Sequence, residues 1–171
     1  DTNIARVGDI MTQLHIETLG QGPDLVLLHG WAMHSGIWGS VRDQLSQQFR
    51  LHLVDLPGHG LSPTSEPGTL DHLVEIITEI LPERCLLGGW SLGGQIAIEL
   101  ALREPERVQK LILISTTPCF AKRDDWESGM ERKLLQLFLE NLKLNYATTI
   151  NRFLTLQMSG DRDASKILSQ L

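Results

Sequence analysis

A glycine-rich turn between an apolar run and a helical pattern constrains this chain more than any other feature. It reads G-x-S-x-G over residues 89–93, with Ser91 in the middle. Residues 84–87 before it are typical of a buried strand, and a helical stripe follows at Ile96, Ala97, Leu100 and Ala101. Such a turn pushes its serine out at the carboxyl end of the strand. We therefore predict that Ser91 is a nucleophile; the alternative is a helix N-cap in a glycine-rich loop.

Strand and helix patterns alternate along the first two thirds of the chain. Short apolar runs typical of buried parallel strands lie at 25–28, 51–55, 84–87 and 111–114, and residues 12–18 alternate like a half-buried strand. Helical stripes cover 37–49, with Ser35 as a possible cap, and 70–81. This order predicts an α/β fold with a mostly parallel sheet and flanking helices. Residues 11–118 would form this part of the core, and residues 1–10 before Met11 an extension.

The pattern changes after Pro118, where strand-like runs give way to helical ones. Amphipathic stripes cover 130–142 and 146–157, and a third helix is expected near Ala164. Ordinary crossover helices are one explanation, but three in succession are too many for one crossover. We therefore interpret residues 119–171 as a helical lid segment that is incomplete in this chain.

Composition limits the classes of function. A chain of 171 residues with net charge −6 can bury one sizeable core and gives no reason to expect nucleic-acid binding. No apolar run is long enough to cross a membrane. Cys85 and Cys119 are most simply free thiols of a cytoplasmic protein. The part of the chain from Ala121 onward contains eight basic and seven acidic residues, which makes it the better surface for an acidic partner. A solvated surface of mixed charge explains this charge distribution too.

The sequence supplies part of a serine-hydrolase site. The backbone N–H of Leu92 and that of Trp31, in the loop after an earlier strand, are the expected oxyanion donors. All six histidines precede Ser91, whereas in this architecture the acid and the histidine follow the serine. His29 and His59 are better explained as structural histidines, and Asp124 and Asp125 end no strand. We therefore expect a nucleophile and an oxyanion hole without the triad acid and histidine, and no metal or cofactor.

Several motifs carry a family resemblance. They are LLHGW at 27–31, LHLVDLPGHG at 51–60, GWSLGG at 89–94, PERVQ at 105–109, PCF at 118–120 and RFLTLQ at 152–157. On these residues the chain resembles the α/β-hydrolase superfamily and, within it, most resembles the pimeloyl-[acyl-carrier protein] methyl ester esterases of biotin synthesis. The resemblance runs from Met11 almost to the end of the chain.

The resemblance implies a carboxylesterase that removes a methyl group from a pimeloyl chain on acyl carrier protein. It places substrate contacts at Trp31, Ser91 and Leu92 and along the lid at Phe153, Leu154, Thr155, Leu156 and Gln157. It also implies that Arg152 meets the acidic carrier. Thr148 stands where the family has a second basic residue, which weakens that inference. The family's acid and histidine would lie beyond this chain.

Three expectations follow from this interpretation. The chain would be an N-terminal portion of a longer enzyme, almost inactive by itself because removal of triad members leaves little catalysis. Residues 111–114 would form an open apolar sheet edge prone to self-association. Alternative functions are another small-ester or carbon–carbon hydrolase, a non-catalytic binding relative, and a two-chain assembly that supplies the missing strands.

Overall fold

The computed structural model describes residues 14–157. A five-stranded sheet forms the centre of a compact unit that ends at Thr116. Its strands are β1 (Ile16–Leu19), β2 (Asp24–Leu28), β3 (Arg50–Val54), β4 (Cys85–Trp90) and β5 (Val108–Ile114), in the spatial order β1-β3-β2-β4-β5. The flanking helices are a 3₁₀ helix (Ser35–Trp38), α1 (Gly39–Leu45), α2 (Leu70–Ile80) and α3 (Leu92–Arg103). The predicted α/β fold is confirmed.

Strand direction brings two loops together at one edge of the sheet. β2 runs parallel to both β3 and β4, β4 runs parallel to β5, and only β1 is antiparallel. Leu28 at the end of β2 is in register with Gly89 near the end of β4. Because parallel strands end at the same edge, the loops after β2 and β4 are neighbours, and ligands bind at such edges in open α/β sheets.

The core lies on both faces of the sheet because successive strand residues point to opposite sides. Val26 and Leu28 of β2 pack on one face with Ile96 of α3, whereas Leu25 and Leu27 pack on the other with Trp38. The side chains of β2 and β3 in these clusters are almost fully buried. At about 2 kcal/mol for each buried leucine, these contacts stabilise the strands that carry the loops.

One helix prediction is wrong in detail. The stripe at 37–49 forms a 3₁₀ helix and then α1, which ends at Leu45. Ser35 is not its cap: the ring of His34 accepts a hydrogen bond of 3.1 Å from the N–H of Gly36, and Ser35 is buried. The reason is tertiary, because the N–H of Ser35 donates to the carboxylate of Asp55, which follows another strand.

The described part of the second unit, residues 117–157, contains two helices. α4 (Arg132–Leu144) and α5 (Tyr146–Gln157) pack on each other, with the rings of Phe138 and Phe153 5.7 Å apart. Met130 lies outside α4, where its N–H and C=O bond to the backbone of Phe120 and Lys122. The helix expected near 164 and the extension expected at 1–10 lie outside the described residues. None of the described helices is long and apolar enough to span a membrane.

β5 is an edge strand with apolar residues that remain accessible. Within residues 14–157 it pairs with β4 alone. Its last four residues, Leu111, Ile112, Leu113 and Ile114, are 38 to 45% exposed. The open apolar edge expected at 111–114 is therefore present in the described part of the chain, whereas self-association through it stays a prediction.

Candidate active site

Ser91 occupies the turn between β4 and α3. Its backbone has φ 53° and ψ −114°, a conformation that non-glycine residues adopt only where neighbours enforce it. The N–H of Ser91 donates to the carbonyl of Ile114 at 3.0 Å, which ties the turn to β5. The strand–turn–helix order expected around Ser91 is confirmed, and its role as nucleophile stays a prediction.

Two glycines make this turn possible because backbone passes where a Cβ would lie. A Cβ on Gly93 would come within 2.6 Å of the carbonyl oxygen of His29 and closer still to that of Leu28. A Cβ on Gly89 would overlap the carbonyl of Gly93. α3 therefore starts directly against the end of β2, which only glycine allows at these positions.

The loop after β2 runs beside the serine. A Cβ on Gly30 would lie 3.4 Å from Cβ of Ser91 and 3.3 Å from the ring of Trp90. Trp31 comes next in that loop, and Leu92 begins α3. The tertiary structure thus brings the segments of Trp31, Ser91 and Leu92 to one edge of the sheet. Developing negative charge would be stabilised there by the N-terminus of α3.

His29 is part of this scaffold. It is fully buried, its Nδ1 lies 2.7 Å from the carbonyl of Gly30, and its Nε2 accepts a bond of 2.9 Å from the N–H of Leu56. The carbonyl requires a proton on Nδ1 and the N–H requires a lone pair on Nε2, so the ring is neutral. Burial lowers the pKa of His29 to about 4. Because both ring nitrogens of His29 are hydrogen-bonded within the scaffold, these contacts support its interpretation as a structural histidine.

His59 and Asp55 belong to the neighbouring loop after β3. The ring of His59 lies 5.3 Å from that of His29, and its Nδ1 is 3.0 Å from the carbonyl of Pro57. The buried carboxylate of Asp55 accepts bonds from the N–H groups of Ser35 and Leu61. Both residues therefore hold the loops in place.

The remaining site predictions fall in the second unit. Phe153, Leu154, Thr155, Leu156 and Gln157 form the last turns of α5, where Leu154 is buried. Arg152 and Thr148 are exposed on the same helix. Asp124 and Asp125 are exposed, and Asp125 pairs with Arg123 at 2.6 Å, so neither resembles a buried triad acid. No group of three potential metal ligands occurs in the described part of the chain.

Sequence reasoning missed one contact at the turn. The hydroxyl of Thr116 donates to the carbonyl of Ser91 at 2.7 Å. Nothing local marks Thr116, because the two residues are 25 positions apart and meet only through the pairing of β4 with β5. The role of Asp55 in holding two loops was not predicted either, although the sequence places this residue at the end of a strand, before the glycine-containing turn at 57–60.

The fold and this turn define a family. The family model for the alpha/beta hydrolase fold matches residues 23–162, and the chain belongs to that family. Among solved structures, an esterase from Exiguobacterium antarcticum has a TM-score of 0.76 and 27% identity, covering 82% of this chain and 56% of its own. A hydrolase from Oleispira antarctica has a TM-score of 0.84 at 23% identity, covering 95% of this chain and 64% of its own, which shows the fold alone.

More similar sequences share one name. A pimeloyl-[acyl-carrier protein] methyl ester esterase from Nitrosospira multiformis is 59% identical over 165 residues, covering 92% of this chain. Another of that name, from Nitrosomonas europaea, is 58% identical and covers 94% of it. The chain spans 63% and 64% of the lengths of these two curated relatives.

Proposed function

We propose that the protein is a serine carboxylesterase that hydrolyses the methyl ester of a pimeloyl chain carried on acyl carrier protein. The observation that carries the proposal is Ser91 at φ 53° on the turn before α3, beside the loop of Gly30 and Trp31. The relatives from Nitrosospira and Nitrosomonas, whose names specify this substrate, support the choice of ester.

The reaction proceeds in two steps. Oγ of Ser91 loses its proton to a base and attacks the ester carbonyl, whose oxygen becomes the oxyanion bound by the N–H groups of Leu92 and Trp31. The C–O bond to the methoxy group then breaks, and methanol leaves with a proton. Water attacks the acyl-enzyme in the same way and releases the free acid and Ser91. We assign the base to none of the six histidines, and His29 has both ring nitrogens occupied.

Substrate binding and location complete the proposal. Trp31, Ser91 and Leu92 would contact the ester, and residues 153–157 the acyl chain, with the second unit as a lid. Arg152, an exposed cation on α5, would meet the acidic carrier. The free thiols of Cys85 and Cys119 favour a cytoplasmic location.

The test compares two substrates and two variants of the intact protein, assayed with the triad acid and histidine present. Methyl pimeloyl carrier should be hydrolysed with a higher kcat/KM than short nitrophenyl esters, and Ser91→Ala should abolish both activities. Ser46→Ala, which removes a hydroxyl bonded to Asp43 on the surface, is the matched control. Equal or better turnover of short esters would favour a different small-ester hydrolase. Failure of a fluorophosphonate probe to label Ser91 would favour a binding protein without catalysis.

A further inference from the structure

The carbonyl oxygen of Ser91 is held by three donors. The N–H groups of Gly94 and Gln95, in the first turn of α3, bond to it at 2.9 and 3.1 Å. The third donor is the hydroxyl of Thr116, at 2.7 Å, which comes from the segment after β5. Thr116 therefore ties the peptide after Ser91 to the sheet, whereas the other two donors tie it to its own helix.

This carbonyl belongs to the same peptide unit as the N–H of Leu92. A trans peptide is planar, so its C=O and N–H point in opposite directions, and a group that holds the oxygen also sets the direction of the N–H. A hydrogen bond to the oxygen further polarises the peptide and strengthens its N–H as a donor. The N–H of Leu92 is the expected oxyanion donor.

We propose that Thr116 is a positioning residue, whose hydroxyl orients and polarises the Ser91–Leu92 peptide so that the N–H of Leu92 stabilises the oxyanion. The inference rests on the proposed function, because it needs Ser91 as nucleophile. Thr116 touches neither the ester nor Oγ of Ser91 in this role; it acts through the peptide.

The other expected donor shows the same arrangement. The N–H of Trp31 shares a peptide with the carbonyl of Gly30, and that oxygen accepts from Nδ1 of His29 at 2.7 Å and from the N–H of Met33 at 3.2 Å. Each expected oxyanion donor therefore has a side-chain hydrogen bond on the far side of its peptide. The contact of His29 joins adjacent residues, whereas Thr116 reaches its peptide from 25 positions away.

Packing keeps Thr116 in place independently of its hydroxyl. A Cβ on Gly94 would come within 2.5 to 2.7 Å of the Cβ, Oγ1 and Cγ2 atoms of Thr116, so the side chain lies directly on the first turn of α3. Valine has the same shape without the donor. Thr116→Val therefore removes the hydrogen bond and keeps the contact with Gly94.

The experiment measures kcat, KM, the rate of fluorophosphonate labelling at Ser91 and Tm in the intact protein. In Thr116→Val, we expect kcat and the labelling rate to fall about five- to tenfold, the range of one lost hydrogen bond, with KM unchanged. Thr116→Ser should recover most of the rate. The control is Thr78→Val, which loses a hydroxyl bonded to the carbonyl of Val74 at 2.8 Å in α2 and should leave the labelling rate unchanged.

The outcomes separate this inference from the proposed function. Wild-type rates in Thr116→Val, with or without a lower Tm, overturn the positioning role and leave the esterase proposal intact. An equal loss of rate in Thr116→Ser also overturns it, because the hydroxyl would not be the cause. Absence of labelling and hydrolysis in the wild-type protein, assayed with the triad acid and histidine present, overturns the proposed function and this inference with it.

Discussion

The carboxylate of Asp55 accepts a hydrogen bond of 2.6 Å from the backbone N–H of Ser35. This bond joins the loop after β3 to the loop after β2, which carries Gly30 and Trp31. A second bond of 2.9 Å, from the N–H of Leu61, closes the turn that follows Asp55. Burial alone would raise the pKa of Asp55. The hydrogen bonds stabilise the ionised carboxylate more strongly than burial destabilises it, so the pKa lies below its ordinary 3.8. One buried carboxylate thus fixes two loops at the edge of the sheet.

Replacing this carboxylate by an amide should cost stability. Asp55→Asn offers one acceptor oxygen where two N–H groups need partners, so we expect a loss of about 2 kcal/mol in the free energy of unfolding. Asp43→Asn is the control, since the side chain of Asp43 is 79% exposed and should change stability little. Urea unfolding of both variants gives the comparison, and equal midpoints would contradict the assignment.

The neutral ring of His29 predicts acid sensitivity. Its folded pKa of about 4 lies below the ordinary 6.5, so the unfolded chain binds more protons between these values. The stability from this group is complete above pH 6.5 and is lost as the pH falls towards 4. Between about pH 7 and about pH 4.5 we expect a loss of about 2 to 3 kcal/mol.

The variant His29→Gln tests the source of that loss. Glutamine offers an acceptor to the N–H of Leu56 but does not titrate, so its stability should depend less on pH over the same interval. The charged and titratable neighbours of His29 are His59, Asp55 and His34. Because the pKa of Asp55 lies below its ordinary 3.8, protonation of this carboxylate changes the free energy of unfolding only at pH below about 4. Parallel pH curves for variant and wild type in urea unfolding would exclude His29 as the cause.

Close backbone packing at Gly93 predicts a severe effect of one methyl group. Gly93→Ala places a Cβ against the carbonyl oxygens of Leu28 and His29, so β2 and α3 must move apart, at a cost of about 3 kcal/mol. Gly39→Ala is the matched control, because nothing lies within 4 Å of the position that its methyl group would take and its φ of −52° suits alanine. A difference in Tm of less than a few degrees between the two would refute the packing argument.

The accessible edge of β5 predicts association of the 171-residue chain through strand pairing. Leu113→Lys places a charge on this edge and should shift sedimentation profiles at tens of micromolar towards the monomer. Leu102→Lys should leave the profile unchanged, since Leu102 is 71% exposed and lies on the helix α3, which offers no strand edge for pairing. A monomeric wild-type chain at these concentrations would disprove the prediction.

Most strands and helices could be predicted because their signals are local. The apolar run at 25–28 and the stripe at 70–81 correspond to β2 and α2 within one residue at each end. The prediction failed at Ser35, where a serine before a helical stripe suggested a cap. At that position the carboxylate of Asp55 accepts a hydrogen bond from the N–H of Ser35, and the ring of His34 caps the 3₁₀ helix.

The sequence by itself determined the α/β class and the turn at 89–93, because hydrophobic period and glycine spacing are properties of neighbouring residues. Only the tertiary structure decided which groups hold that turn. The contacts of Thr116 with Ser91 and of Asp55 with Ser35 join residues 25 and 20 positions apart. Hydrogen bonds of this kind depend on strand order and register, and these arise when the whole sheet packs rather than from any local pattern.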